Sequence, residues 1–194
     1  FRKAHPDHTV ISYVNTTVDI KALTDICCTS SNAVKIVESL PHEQPVIFAP
    51  DRNLGNYIKE KTGRNNMILW DGACHVHEKF TADKIVRLKE QYPGAKIAAH
   101  PECRKSVLEI ADFIGSTSAI INFCGHDDGK TYLVVTEPGI IHEMRSKYPK
   151  KEFIAVPPYD SDCGCNECEY MKMISLEKVY DCLVNEGPEV ILDE

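Results

Sequence analysis

Long apolar runs, clusters of basic residues and a secretory signal are all missing from this sequence of 194 residues. No apolar stretch approaches the roughly 20 residues that a membrane-spanning helix needs, and no signal-peptide pattern opens the chain. The net charge is −7, and the sequence contains no run of Lys or Arg. We therefore expect no nucleic-acid or membrane partner and a cytoplasmic location. The opening Phe1-Arg2-Lys3, in place of Met, favours a fragment or a processed product.

Several common catalytic motifs are also missing. The sequence has no G-x-G-x-x-G, no P-loop, no H-E-x-x-H and no nucleophile elbow, so it shows none of these signals for dinucleotide, nucleotide, metalloprotease or hydrolase sites. It does contain nine cysteines, and 43% of its residues are hydrophobic. A chain of this length and hydrophobic content can form a hydrophobic core and needs no disulfide framework to be stable. Reduced cysteines that bind a metal or a cluster are therefore favoured over disulfides.

Two copies of one unit make up most of the chain. Residues 9–15 align with residues 96–102, which pairs Tyr13 with His100 and Asn15 with Glu102. The same offset pairs Asp25 with Asp112 and the hydroxyl residues 29–31 with residues 116–118. Several matches in order at one offset indicate a duplication. We expect two domains, over residues 1–80 and 81–172, followed by a C-terminal helix and tail over residues 173–194.

Each copy alternates short apolar runs with amphipathic stretches, which predicts an α/β fold with parallel sheets and helices on both faces. The first copy predicts strands near 9–14, 25–28, 46–49 and 66–70 and helices near 17–23, 30–39, 52–62 and 80–91. The second predicts strands near 95–99, 112–114, 132–136 and 152–156, and a last helix lies near 174–186. The predicted helix caps are Thr29 or Ser30, Asp51, Thr81 and Ser116.

Polar residues stand where ligands gather in such sheets, at the carboxyl ends of the strands and the starts of the following helices. Tyr13 and Asn15 follow one strand, and His100 and Glu102 follow the equivalent strand. Hydroxyl groups precede the next helix in each copy, at Ser30 in the first and at Ser116 and Thr117 in the second. We expect these residues to face inward at one edge.

Cysteines follow the fourth strand of both copies. Cys74 follows this strand in the first copy, and Cys163, Cys165 and Cys168 follow it in the second. The shared edge favours one metal centre between the domains. Four thiolates would suit a structural zinc site, and thiolate sets also suit iron–sulfur clusters, so spacing does not decide between them. A metal-free domain that binds a phosphorylated metabolite is a third hypothesis, but it leaves the cysteine edge unexplained.

The remaining cysteines and histidines have simpler interpretations. The other five cysteines are interpreted as core residues or free thiols: Cys27, Cys28, Cys103, Cys124 and Cys182. His75 and His77 are interpreted as polar loop residues beside Cys74, and His142 as a surface residue of a helix.

Six motifs in order resemble the quinolinate synthases. They are Tyr13-Val14-Asn15, Cys28-Thr29-Ser30-Ser31-Asn32, Gly72-Ala73-Cys74-His75-Val76-His77, His100-Pro101-Glu102, Gly115-Ser116-Thr117-Ser118 and Cys168-x-x-Met171-x-Met173. The resemblance implies three similar α/β domains with pseudo-threefold symmetry around a [4Fe–4S] cluster held by three cysteines. This chain would be the second and third domains and would lack the N-terminal one.

The resemblance also implies roles for individual residues. Cys74 and Cys168 would bind the cluster, whereas Cys163 and Cys165 depart from the family spacing and are interpreted as non-ligands. The implied reaction condenses iminoaspartate with dihydroxyacetone phosphate to quinolinate, and an L-aspartate-oxidising enzyme would supply the iminoaspartate. Glu102 is the predicted general base, with His100 and Tyr13 polarising substrate hydroxyls. The predicted substrate-binding residues are Tyr13, Asn15, Ser30, His100, Glu102, Ser116 and Thr117. The alternative is a non-catalytic iron–sulfur or zinc protein with a four-cysteine site.

Overall fold

The computed structural model describes residues 1–192, and in them two four-stranded parallel sheets follow one another along the chain. The strands of the first sheet are β1 Thr9–Tyr13, β2 Ile26–Cys28, β3 Val46–Phe48 and β4 Met67–Leu69. Those of the second are β5 Lys96–Ala99, β6 Phe113–Ile114, β7 Thr131–Val135 and β8 Glu152–Ala155. The spatial orders, β2-β1-β3-β4 and β6-β5-β7-β8, are the same. The predicted α/β class with two parallel sheets is confirmed.

Helices connect the strands as the alternating pattern predicts. Those before the second sheet are α1 Val18–Ala22, α2 Ala33–Ser39, α3 Arg52–Thr62, α4 His75–Glu78 and α5 Ala82–Gln91. Those after its first strand are α6 Lys105–Leu108, α7 Thr117–His126, α8 Ile140–Lys147, α9 Glu169–Lys172 and α10 Leu176–Asn185. A short 3-10 helix, Arg2–Ala4, precedes β1. No helix in the described part of the chain has the length and apolar content to cross a membrane.

One hydrogen bond occurs at the equivalent place in both copies. Asp25 Oδ2 accepts from the Val10 backbone N–H at 2.8 Å, and Asp112 Oδ2 accepts from the Ile97 N–H at 2.7 Å. Each carboxylate precedes the second strand of its copy and ties that strand to the first. The aspartates paired by the sequence alignment therefore make the same contact in the structure.

The central strands are buried on both faces, so they are apolar without alternation. All three residues of β3 are buried, as are the last four of β7. Val76 and Phe80, which lie between the two sheets in sequence, pack in the core of the second sheet with Ile97 and Leu133. The segment that follows Cys74 is therefore held against the second sheet. The domain limits at residues 80 and 172 stay a prediction.

Two of the predicted helix caps, Asp51 and Ser116, make the expected hydrogen bonds, whereas the predicted start of α2 is wrong. Asp51 Oδ1 accepts from the Leu54 N–H, and Ser116 Oγ from the Ala119 N–H. The predicted start of α2 at residue 30 is wrong, because residues 29–32 form a turn in which Asn32 Oδ1 accepts from the Thr29 N–H. This turn leaves Ser30 outside the helix.

The C-terminal helix α10 agrees with the predicted range but carries exposed apolar side chains. Leu176, Tyr180 and Leu183 are all exposed along it. The following apolar residues, Val190, Ile191 and Leu192, are exposed as well. Residues 193–194 of the predicted tail lie outside the described part of the chain.

Asp51→Ala is expected to destabilise the fold far more than Thr81→Ala. Asp51 is buried, and its two oxygens accept from the N–H groups of Leu54 and Cys74. Loss of a helix cap costs about 1 kcal/mol, and leaving a buried N–H unpaired costs about 1–3 kcal/mol. Thr81 also precedes a helix but makes no side-chain cap bond. Urea unfolding of both variants measures the difference, and equal losses would contradict the role assigned to Asp51.

Candidate functional site

The candidate site lies between the two sheets, at the carboxyl ends of β1 and β5. Polar side chains from both copies meet there beside the short helix α4, which joins the first sheet to the second. The group consists of Tyr13, Ser30, Cys74, His77, His100, Glu102 and Thr136.

Ser30 connects the two copies. Its backbone N–H donates to the Tyr13 hydroxyl oxygen at 3.2 Å, and its Oγ lies 3.0 Å from Nε2 of His100. Because the turn at residues 29–32 delays the start of α2, Ser30 is free to make both contacts. The structure thus brings together three of the residues singled out in the sequence.

His100 is held as a neutral ring that donates through Nε2. The Glu102 backbone N–H donates to His100 Nδ1 at 3.3 Å, so the proton of the ring is on Nε2 and points to Ser30 Oγ. Burial, reinforced by the charge of His77, lowers the pKa of His100 to about 3. His100 is therefore a hydrogen-bond donor at neutral pH and not a cation.

The interpretation of His77 as a polar loop residue is wrong. The side chain is buried within α4, and its ring stacks on that of His100 with centroids 4.5 Å apart. Nε2 lies 3.0 Å from Thr136 Oγ1, and Nδ1 lies 3.0 Å from Oε2 of Glu102. Burial alone would lower the pKa of His77, but its contacts with the Cys74 thiol and the Glu102 carboxylate raise the pKa to about 9. His75, in contrast, is exposed.

Glu102 is a buried carboxylate that stays ionised. Burial raises its pKa, but the neighbouring His77 and His100 outweigh this effect, so the net shift of the pKa is downward. Tyr13 is affected in the opposite sense, because burial and the charge of Glu102 raise its pKa to about 12. The site therefore combines the ionised carboxylate of Glu102, which can accept a proton, with the phenol of Tyr13, which stays protonated.

Cys74 enters this group from the start of α4. Its backbone N–H donates to Asp51 Oδ2 at 2.8 Å, which fixes the chain at this residue. The Cys74 sulfur, a His77 ring nitrogen and a Glu102 carboxylate oxygen all lie within 4.8 Å of one another. Asn53 of α3 donates to the Glu102 backbone oxygen at 3.0 Å and so ties the two sheets together beside them. These three side chains could hold a metal ion.

Cys168 occupies in the second copy the position that Cys74 has in the first. Each directly precedes a four-residue helix, α9 or α4, and both side chains pack against the core of the second sheet. The loop that carries Cys168 lies over α4, because Asn166 donates to the Val76 backbone oxygen at 2.8 Å. Farther along, the rings of Tyr170 and His75 are 5.5 Å apart.

Cys163 and Cys165 form a disulfide with each other. This differs from the preference for reduced, metal-binding cysteines over disulfides, and it removes two thiols from the alternative four-cysteine metal site. The pairing was missed because two cysteines separated by one residue are not a usual disulfide spacing in sequence. Among the other cysteines, Cys28, Cys103 and Cys124 are buried free thiols, and Cys27 and Cys182 are exposed free thiols.

Three predicted substrate-binding residues stand apart from the group. Asn15 is exposed in the loop after β1. Ser116 caps α7, and Thr117 is half-buried in the first turn of that helix. In residues 1–192 none of the three makes a hydrogen bond to the residues around Glu102, so their roles stay predictions.

Comparison with known proteins gives one consistent answer. The family model described as NadA: Quinolinate synthetase A protein matches residues 1–194. The quinolinate synthase of Synechocystis sp. is 56% identical over the whole chain, that of Thermosynechococcus vestitus 54%, and that of Chloroherpeton thalassium 53%. The chain spans 60% of the length of each of these relatives. The family match extends over the whole chain, and the chain belongs to the quinolinate synthetase A protein family.

Proposed function

We propose that this chain provides two of the three α/β domains of a cytoplasmic quinolinate synthase, which condenses iminoaspartate with dihydroxyacetone phosphate. The observation that carries the proposal is the contact group formed across the two sheets by Tyr13, Ser30, His100 and Glu102 beside Cys74. A purely structural interface would have no need for a buried carboxylate and two buried imidazoles. The three relatives, all quinolinate synthases, support the same activity.

The donor set fits a [4Fe–4S] cluster held by Cys74 and Cys168 together with a third cysteine from outside this chain. Both thiols are free and half-buried, and they occupy equivalent positions before α4 and α9. The Asn166 contact holds the loop of Cys168 against α4. When bound through three thiolates, such a cluster supplies an open iron that acts as a Lewis acid on substrate oxygens.

Side chains of this chain would bind the substrates and would donate and accept the protons of the reaction. Neutral His100, through Nε2–H, and the protonated Tyr13 hydroxyl would donate hydrogen bonds to substrate oxygens. The Glu102 carboxylate would accept the proton that imine–enamine isomerisation and dehydration release. Ser30, Ser116, Thr117 and Asn15 would hold substrate carboxylate and phosphate groups. His77 would keep Glu102 ionised and oriented through the 3.0 Å contact.

The substrates imply one further partner. Iminoaspartate carries a C=N bond that water hydrolyses, so it must be made close to the site that uses it. We include in the proposal an L-aspartate-oxidising enzyme as the supplier.

The 194-residue chain alone is expected to bind iron weakly and to make no quinolinate. Fusing it to the part of the Synechocystis relative that lies outside the match gives what we call the completed protein, which is expected to be active. After anaerobic cluster reconstitution, quinolinate is measured by chromatography for both. Turnover by the chain alone would contradict the three-domain arrangement. A completed protein with full iron content and no turnover would contradict the function itself.

A further inference from the structure

We propose that Cys74, His77 and Glu102 form a binding site for a single divalent ion of the Zn²⁺ type, which binds when no iron–sulfur cluster occupies Cys74. Each of the three side chains offers one ligand atom of a different kind: a thiolate sulfur, an imidazole nitrogen and a carboxylate oxygen. The inference goes beyond the proposed function, because it needs only residues of this chain and no substrate.

The geometry is close to that of a bound ion. Ligand atoms at 2.0–2.3 Å from a tetrahedral zinc are roughly 3–4 Å apart. His77 Nδ1 and Glu102 Oε2 are already 3.0 Å apart, and the three ligand atoms lie within 4.8 Å of one another. The remaining gap is one that the half-buried Cys74 side chain would have to close by rotating towards the other two ligands.

A buried and unsatisfied nitrogen points into this site. His77 is only 6% exposed, and its Nδ1 has no hydrogen-bond partner of regular geometry, although Glu102 Oε2 lies 3.0 Å away. Such an atom is costly to bury unless it has a partner. An ion between the three side chains would give this nitrogen a partner.

The surroundings hold each ligand in place, as they do in established metal sites. Thr136 Oγ1 fixes the far nitrogen of His77 at 3.0 Å. Asp51 fixes the backbone of Cys74, and Asn53 fixes that of Glu102. The three ligands come from two segments that are far apart in sequence, but the contacts around them fix their relative positions.

The ligand types select the class of ion. One thiolate, one imidazole and one carboxylate suit Zn²⁺ or Co²⁺, whereas Mg²⁺ and Ca²⁺ prefer sets made of oxygen. Three protein ligands leave a fourth position open to water. Because Cys74 is also the proposed cluster ligand, the ion and the cluster exclude each other at this sulfur.

Cobalt reports the site directly. The tag-free 194-residue chain, carrying Cys163→Ser and Cys165→Ser to remove the neighbouring thiols, is titrated anaerobically with Co²⁺. We expect one equivalent to bind, with a thiolate-to-cobalt band in the near ultraviolet and the strong visible bands of a four-coordinate ion, and Zn²⁺ to displace it. No thiolate band, or bands typical of six-coordinate cobalt, would overturn the proposal.

Four variants in the same background assign the ligands. Glu102→Gln and His77→Phe, which keep the shape of the carboxylate and a ring against His100, are expected to lose the stoichiometric binding. Thr136→Val removes only the orienting contact and is expected to weaken binding by about 10–100-fold. Cys168→Ser is expected to bind like the parent.

Circular dichroism shows whether each variant is folded. If His77→Phe does not fold, Thr136→Val still tests the role of His77, because it removes only the contact that orients the ring. Undiminished binding by folded Glu102→Gln and Thr136→Val would overturn the assignment. Loss of the thiolate band in Cys168→Ser would place the ion between two cysteines and would overturn it as well. The readout involves neither cluster nor activity, so its failure is distinguishable from failure of the proposed function.

Discussion

Cys168→Ser and Cys74→Ser, each made in the completed protein, are expected to abolish both the brown cluster absorption and quinolinate production. Each removes one of the two thiolates of this chain that we propose as ligands of the cluster. Loss of one ligand from a set of three leaves an iron–sulfur cluster exposed to solvent and to oxygen. Visible absorption, iron content and product formation after anaerobic reconstitution measure the effect.

The matched controls are the free thiols of Cys27 and Cys182. Both are exposed, so their replacement by Ser disturbs no packing and is expected to leave iron content and turnover near those of the parent. Cys165→Ser is expected to behave in the same way, because Cys165 is interpreted as a non-ligand. If Cys165→Ser loses the iron while Cys168→Ser retains it, the assignment within this loop is wrong.

Glu102→Gln in the completed protein is expected to keep the cluster and lose about 10²–10⁴-fold in turnover, the usual contribution of a general base. The amide keeps the shape of the side chain but cannot accept a proton. In the parent, His77 and His100 lower the pKa of Glu102 despite its burial, so the carboxylate is ready to accept a proton at neutral pH. Steady-state kcat with the cluster content measured in parallel tests this.

Glu78→Gln is the matched control for Glu102→Gln. Glu78 lies at the same junction between the sheets, but its carboxylate contacts Arg52, Asn53 and Arg104 instead of the imidazoles. Its replacement is expected to reduce stability and leave kcat near that of the parent. A Glu102→Gln enzyme with normal kcat, or equal losses in both variants, would show that Glu102 is not the base.

The repeat made much of the fold predictable. Apolar runs that pair at one offset, such as residues 9–13 and 96–99, form equivalent strands in sheets of the same order. The parallel arrangement then places the strand ends of both copies on corresponding edges, which is why Tyr13, His100 and Glu102 could be selected as site candidates from sequence. Local pattern and a general rule of α/β sheets were enough for these residues.

His77 and the disulfide could not be predicted in the same way. The helix that carries His77 has four residues, too few to show a hydrophobic period, so nothing in the local sequence separates its buried histidine from the exposed His75. The residues that define its role, Thr136 and Glu102, are distant in sequence. The signal that could have found it is the neighbouring Val76, an apolar residue that anchors α4 in the second core.

The contacts across the two sheets make the site sensitive to mechanical strain. Ser30 Oγ and His100 Nε2 are 3.0 Å apart, as are the Asn53 amide and the Glu102 backbone oxygen. A hydrogen bond of this kind is lost when its atoms separate by roughly another half ångström. A slight rotation of one sheet relative to the other would therefore break both hydrogen bonds. It would displace His100, the proposed proton donor, and Glu102, the proposed proton acceptor, at the same time. For the proposed reaction, stiffness at this junction would therefore matter as much as the identity of the residues.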